Sequence, residues 1–234
     1  MIAGENSVFT LVRCESNEDW LEQRTKGVGG SDVASIMGLS PWKTPAQTWL
    51  EKTGNAAPDD LSDKPYIQFG VIMEPLIGKW FAEQHPDFKV RRVNAVCQSI
   101  KRPWAQASLD FEVFDGKSWG VLEIKTARSA KDWDDGVPSY YMSQTCHYMD
   151  VTDRKYAYVA VFFRDTCEFR EYRIERDEED IAAVRAAVDS FWHDYVEKGV
   201  MPMLTAADPN SATATDQRVL YLRERMPWIS CPAP

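Results

Sequence analysis

The chain has 234 residues, 44% hydrophobic and 27% charged, with a formal net charge of −9, enough for one large domain or two small ones with a proper core rather than a disordered polymer. No apolar run approaches the roughly 20 residues of a membrane span, and no basic region followed by an apolar stretch marks a secretory leader. Five scattered cysteines at 14, 97, 146, 167 and 231, with no C-x-x-C pair, point to reduced thiols in a cytoplasmic setting and away from structural zinc or an iron–sulfur cluster.

An acidic balance argues, at face value, against a nucleic-acid partner. It describes the whole surface, however, and a protein that encloses DNA needs only a basic lining. Lys89-Val90-Arg91-Arg92, Lys101-Arg102 and the stretch from Lys125 to Lys131 are candidates for part of it.

In chain order, residues 17–26 read as a helix capped by Asn17. Gly27-Val28-Gly29-Gly30-Ser31-Asp32 follows, with Ser31 as a natural N-cap and Gly38 as a stop. A glycine-flanked helix start presents free N–H groups, so this one is a candidate phosphate cradle as well as an ordinary capped helix. Pro45 to Lys52 reads as a short helix closed by Gly54, and residues 55–65 as a polar loop. A helix is expected over about 66–84, with Leu76, Ile77, Trp80 and Phe81 as its apolar face; the pattern leaves the direction of Glu74 open.

One or two strands fall in residues 88–100, and an apparent β-hairpin follows, turning at Asp115-Gly116-Lys117-Ser118. With that loop, paired residue numbers sum to 233, which sets Asp110 opposite Glu123. Alternation puts Lys125 on the same face and Leu122 and Ile124 on the other. Glu-x-Lys on a strand is commonly a solvated stripe. Two facing acids beside a lysine, though, repel unless a cation lies between them, which points to a divalent metal and phosphodiester chemistry.

From Pro138 to Val151 the pattern is helical, with Tyr141, Gln144 and Tyr148 on one face. A strand pair over 156–163 and 168–174 precedes an amphipathic helix from about Glu178 to Lys198, with Ile181, Val184, Val188, Phe191, Trp192 and Tyr195 inward and Gly199 at its end. Residues 1–202 thus form a single domain. Residues 203–234 are expected to form a loop with a short helix at 219–228 that docks on the body or on a neighbouring subunit. The order of elements implies an α/β domain with a mixed central sheet flanked by helices. His85, His147 and His193 are widely spread, and His147 is read as structural rather than as a base. Most aromatic residues belong to the core, with Trp42 a candidate to stack on a terminal base.

Arg24-Thr25-Lys26-Gly27-Val28-Gly29-Gly30-Ser31-Asp32, Pro41-Trp42-Lys43-Thr44-Pro45, Gly70-Val71-Ile72-Met73-Glu74-Pro75, Asp110, Glu123-Ile124-Lys125 and Tyr141-Met142-Ser143-Gln144 occur in that order. The set, over residues 17–198, resembles the phage recombination exonucleases of the lambda exonuclease (YqaJ-like) family, within the PD-(D/E)xK nuclease superfamily. It departs from the pattern at Leu109, where a proline is usual, and at Pro41-Trp42-Lys43-Thr44, which replaces an arginine-rich loop. The resemblance implies a restriction-endonuclease-like core. It implies Mg²⁺, with Mn²⁺ as a substitute, held by Asp110, Glu123, the Ile124 carbonyl and Glu74. Lys125 would orient or deprotonate the attacking water and Gln144 would hold that water or a phosphate oxygen. Arg24, Ser31 and Lys43 would contact DNA phosphates, with Ser31 at the terminal 5′ phosphate.

The implied activity is 5′-to-3′ digestion of one strand of linear duplex DNA with a phosphorylated 5′ end, leaving a 3′ single strand for recombination by strand annealing. The implied partners are a single-strand annealing protein and two further copies of the chain in a trimeric ring, with no membrane. An endonuclease or resolvase on the same core is the alternative. A non-catalytic nucleic-acid-binding module is the reading of another class. No G-x-G-x-x-G or P-loop supports a cofactor enzyme.

Overall fold

The structure, a computed structural model, describes residues 7–58, 61 and 63–204. The expected C-terminal helix at 219–228 lies outside the described residues. In chain order the elements are β1 (Phe9–Val12), α1 (Asn17–Thr25), α2 (Gly30–Ile36), α3 (Pro45–Lys52), α4 (Pro65–Gln84), β2 (Lys89–Arg92), β3 (Val96–Ser99) and β4 (Gln106–Ala107). They continue with β5 (Phe111–Phe114), β6 (Trp119–Ala127), a 3₁₀ turn at Lys131–Trp133, α5 (Ser139–Thr152), β7 (Tyr156–Phe163), β8 (Glu168–Glu175) and α6 (Glu178–Ser190). The last helix runs on as a π-helical segment, Phe191–Val196, and ends at Gly199, whose φ of +65° suits a residue without a Cβ.

The main sheet has five strands in the order β2-β5-β6-β7-β8, and a smaller sheet joins β1-β3-β4. The β5–β6 hairpin pairs Phe111 with Leu122 and Phe114 with Trp119, the register expected from a loop at 115–118. β6 and β7 are parallel, so the chain must cross over between them, and α5 makes that crossover. β7 is buried along its whole length, as a strand covered on both faces should be. β8, at one edge, carries Glu168, Arg170, Glu171, Arg173 and Glu175, charges that discourage pairing with another chain.

Alternation along β6 sorts the layers. Leu122 and Ile124 join Phe111 and Val113 against Ile77 and Phe81 of α4. Burying each of those two α4 side chains stabilises by roughly 1.5–3 kcal/mol. Val121 faces the opposite layer, with Tyr148, Val151, Ile181 and Val184 of α5 and α6. The apolar face expected of α4 is thus half right: Ile77 and Phe81 are fully buried, but Leu76 is 53% and Trp80 42% exposed. Trp80 lies along the edge of the layer, 6.0 Å from the rings of Phe162 and Phe169.

Two caps differ from expectation. Ser16, not Asn17, caps α1 and accepts from Asp19 N. Gly29 occupies the cap position of α2, and Asp32 replaces Ser31 as the side chain that satisfies it, accepting from Gly29 N at 2.9 Å. Cys14, Cys97, Cys146 and Cys167 are free thiols. No helix among the described residues is long and apolar enough to cross a membrane.

Candidate active site

Glu123 sits at the centre of β6, 3% exposed, on the face that meets α5. Its Oε1 accepts from Lys125 Nζ at 2.6 Å and from Gln144 Nε2 at 2.8 Å. Lys125 Nζ also donates to Gln144 Oε1 at 3.2 Å, and Gln144 Nε2 to the Tyr148 hydroxyl at 2.9 Å. The strand period delivers Glu123 and Lys125 together, and the helical period delivers Gln144 and Tyr148 to meet them.

Asp110, one residue before β5, completes the hairpin's polar end. Its Oδ2 accepts from Ile124 N at 2.8 Å, and its carbonyl from Val93 N at 3.2 Å. Burial raises the pKa of Asp110 against the pull of Lys125, the Ile124 N–H and Arg92. Burial and the Asp110 charge raise that of Glu123, against Lys125. Two buried carboxyls this close do not both ionise readily unless a cation lies near them. Burial alone would lower the pKa of Lys125, but Glu123, Tyr141 and Asp110 raise it above the ordinary lysine value, so it is a cation at neutral pH.

A divalent ion fits this cluster. Glu123 Oε2 is buried and lacks a hydrogen-bond partner among the described residues, which is costly unless something positive meets it. Asp110, Glu123 and the backbone carbonyl of Ile124 supply hard oxygen donors, and magnesium is typically held by one or two carboxylates with water in its remaining positions. Glu74 arrives from α4, but its Oε1 is taken by Arg92 Nη2 at 2.6 Å. Burial and Asp110 raise its pKa while Arg92 and Lys125 oppose them. Among the described residues, no group of three His, Cys, Asp or Glu side chains is arranged to hold a metal, so the cluster offers two carboxylates and leaves Glu74 at its rim.

α2 is brought against this cluster by a close approach. A Cβ on Gly30 would lie 2.3 Å from the Tyr148 ring and 2.9 Å from Gln144 Cγ, so any side chain there would push the helix off α5. Ser31 is the next residue, and its hydroxyl accepts from Arg24 Nη2 at 2.8 Å. Arg24 in turn lies over the Trp20 ring, 4.8 Å from its centroid. Arg24 and Ser31 are thereby held next to the residue, Gly30, that approaches Gln144. The backbone cradle is weaker than expected: α2 has seven residues, and Asp32 already occupies the Gly29 N–H.

Lys43 turns inward. It forms an ion pair with Glu51 and approaches Asp32 at 3.9 Å. Part of the expected basic lining is likewise engaged: Arg91 with Glu112, Arg92 with Glu74, and Arg102 with Asp150 and Asp189. His147, on the same helix as Gln144, is fully buried elsewhere, its Nε2 2.9 Å from the Gln106 carbonyl and 3.2 Å from that of Val28. Burial lowers its pKa, so it is a neutral structural histidine donating from Nε2. The Arg92–Glu74 pair had no signal in the sequence, because the two lie on different elements with no shared period.

The YqaJ-like viral recombinase domain model matches residues 19–155, more than half of the chain. A protein of Bacillus subtilis (strain 168), YqaJ, is 37% identical over 215 residues; the match covers 90% of this chain and spans 63% of the relative's length. Among solved structures, an alkaline exonuclease of Laribacter hongkongensis superposes with a TM-score of 0.65 at 22% identity, covering 78% of this chain and 94% of that one. A structure of the same enzyme in complex with dAMP gives 0.65 at 20% identity, covering 89% and 97%. A phage-related exonuclease of Haemophilus somnus 129PT gives 0.56 at 12% identity, covering 74% and 94%. Those structural likenesses establish the fold, a mixed sheet flanked by helices. With the hairpin carboxyls, Lys125 and Gln144 set on that fold, and with the match over residues 19–155, the chain belongs to the YqaJ-like viral recombinase domain family.

Proposed function

We propose that the chain is a magnesium-dependent deoxyribonuclease that digests one strand of linear duplex DNA from a phosphorylated 5′ end, leaving a 3′ single strand for annealing. The observation that carries this reading is the orphaned Glu123 Oε2 beside Asp110, with Lys125 and Gln144 fixed on the other oxygen. The name of the Laribacter hongkongensis enzyme, an alkaline exonuclease seen with dAMP, supports a mononucleotide product.

A divalent ion at Asp110, Glu123 and the Ile124 carbonyl would supply Lewis-acid stabilisation of the phosphoryl oxygens. Lys125 places a buried positive charge where negative charge develops on the phosphorus substituents. Gln144, with its amide nitrogen held by Glu123 and Tyr148, presents Oε1 to Lys125 and keeps that lysine and the attacking water aligned. Arg24 and Ser31 receive the terminal phosphate, which sets the distance from the 5′ end to the bond that is cut. Glu74 joins when Arg92 releases it towards the nucleic-acid backbone. A trimeric ring and a single-strand annealing partner extend the same reading, since a closed ring reconciles an acidic exterior with DNA threading.

The test is linear duplex DNA labelled on either end, incubated with Mg²⁺ beside a covalently closed circle. Release of 5′ label as mononucleotide with the circle intact is expected. Nicking of the circle would reassign the chain to endonucleases, and no hydrolysis with either Mg²⁺ or Mn²⁺ would leave a binding module.

A further inference from the structure

Trp42 is 67% exposed, the largest aromatic surface among the described residues, yet it is not loose. Its backbone N–H and that of Lys43 both donate to the Ser40 hydroxyl at 3.2 Å, and Lys43 is drawn inward to Glu51 and Asp32. The loop therefore offers solvent a ring rather than a charge. That ring meets Tyr140 edge-on at 5.0 Å and Tyr141 at 6.4 Å. The two tyrosines are 4.5 Å apart, and Trp133, 2% exposed, backs Tyr141 at 5.6 Å. At the far side, Lys125 Nζ lies 4.6 Å from the centre of the Tyr141 ring. One continuous aromatic run thus begins at the surface and ends on the lysine of the candidate site.

An exposed tryptophan is also a common anchor for protein partners. The inner end of this run decides between the two occupants. A protein partner has no need of a path to Lys125, whereas a DNA strand delivered to Lys125 must lay its bases along whatever surface leads there. Aromatic faces receive unpaired bases without regard to sequence, whereas in a duplex only the outermost pair leaves a face exposed.

We infer that Trp42, with Tyr140 and Tyr141 behind it, is a stacking platform for an unpaired base of the strand being digested, so that the protein engages DNA whose end is already locally open. The identity of that strand rests on the nuclease reading above; the platform itself does not. The experiment uses the full chain with Ca²⁺ in place of Mg²⁺ and a 5′-phosphorylated duplex whose last two bases are unpaired, with 2-aminopurine at the end. Wild type should quench the 2-aminopurine fluorescence, and Trp42→Phe should largely keep that quenching. Trp42→Ala should abolish it and raise the dissociation constant about tenfold, with a smaller change on a fully paired blunt duplex.

Equal quenching and affinity in Trp42→Ala would overturn the proposal. So would a Trp42→Ala variant that binds DNA normally but sediments at a different mass, which would assign the ring to a protein interface. If the platform behaves as expected while wild type cuts no DNA with Mg²⁺ or Mn²⁺, the nuclease reading fails alone. If wild type cuts and Trp42→Ala is unchanged in cutting and quenching, the platform fails alone.

Discussion

Glu123 and Lys125 are joined at 2.6 Å through Oε1 alone, which leaves Glu123 Oε2 buried without a hydrogen-bond partner among the described residues. One oxygen is fully used and the other is held in reserve. Such an arrangement costs stability in the absence of a ligand. Because the folded pKa of Glu123 lies above its ordinary value, the native state holds its proton more tightly than the unfolded chain. Its ionisation therefore weakens the fold as pH rises above the unfolded pKa. Glu123→Gln, nearly isosteric and uncharged, removes that ionisation but leaves the buried Lys125 without its carboxylate partner, so the metal-free melting temperature is expected to fall at neutral pH. The variant should abolish the rise in melting temperature that added Mg²⁺ gives wild type. Thermal scans with and without the metal read both effects, and a Mg²⁺-dependent rise that survives in Glu123→Gln would remove this residue from the metal site.

Lys125 lies between Glu123, Gln144 and the Tyr141 ring. Removing a buried cation aimed at a developing oxyanion typically costs a hundredfold or more in turnover. Lys125→Ala should therefore lose at least about a hundredfold in kcat, with DNA affinity changed by less than about threefold, measured in single-turnover assays with labelled duplex. Retention of near wild-type turnover would sink its role.

Arg24 donates to the Ser31 hydroxyl at 2.8 Å, and Ser31 adjoins Gly30, which approaches Gln144. If they receive a terminal phosphate, each loss should act on phosphorylated ends only. Charge-assisted hydrogen bonds are worth roughly 1.5–3 kcal/mol, so Arg24→Ala should lower kcat/KM about tenfold or more on 5′-phosphate duplex and little on 5′-hydroxyl duplex. Because Ser31 acts in contact with Arg24, the double variant should lose less than the sum of the two single losses. Equal losses on both kinds of end would make the pair structural.

Local rules carried much of this site. The Asp115-Gly116 turn fixed the hairpin register, and the register alone set Asp110 against Glu123 and Lys125. Helical period then placed Gln144 beside Tyr148. What period cannot reveal is which of two exposed-looking faces meets another layer, so Leu76 and Trp80 of α4 were misplaced while Ile77 and Phe81 were not. The cap of α2 falls at Gly29, two residues before Ser31, and Asp32, three residues beyond that cap, accepts its N–H. Ion pairs between distant elements, such as Arg92 with Glu74 and Lys43 with Glu51, leave no trace in a single sequence. Those pairs decide which basic side chains are neutralised within the chain.

The buried pair of Asp32 and Lys52 illustrates that limit and yields a stability prediction. Their atoms meet at 2.6 Å, with both side chains almost inaccessible. Burial would raise the carboxyl, yet Lys52, Arg24 and Lys43 together outweigh it and bring Asp32 to about 2 from an ordinary 3.8. Lys52 faces one carboxylate against burial and two like charges, and its pKa falls, so part of the gain at Asp32 is offset at the lysine. The carboxylate's contribution, on the order of 2 kcal/mol by linkage, is fully present above the unfolded pKa and is lost as pH falls from about 4 towards 2. Asp32→Asn strands a buried lysine and should cost roughly 3–5 kcal/mol near pH 7. Asp32→Asn together with Lys52→Met should recover much of that loss, because the uncompensated charge is gone. Urea unfolding at pH 7 and pH 3 separates the cases: Asp32→Asn should lose less stability than wild type between the two, and parallel losses would mean that Asp32 is not the group that titrates.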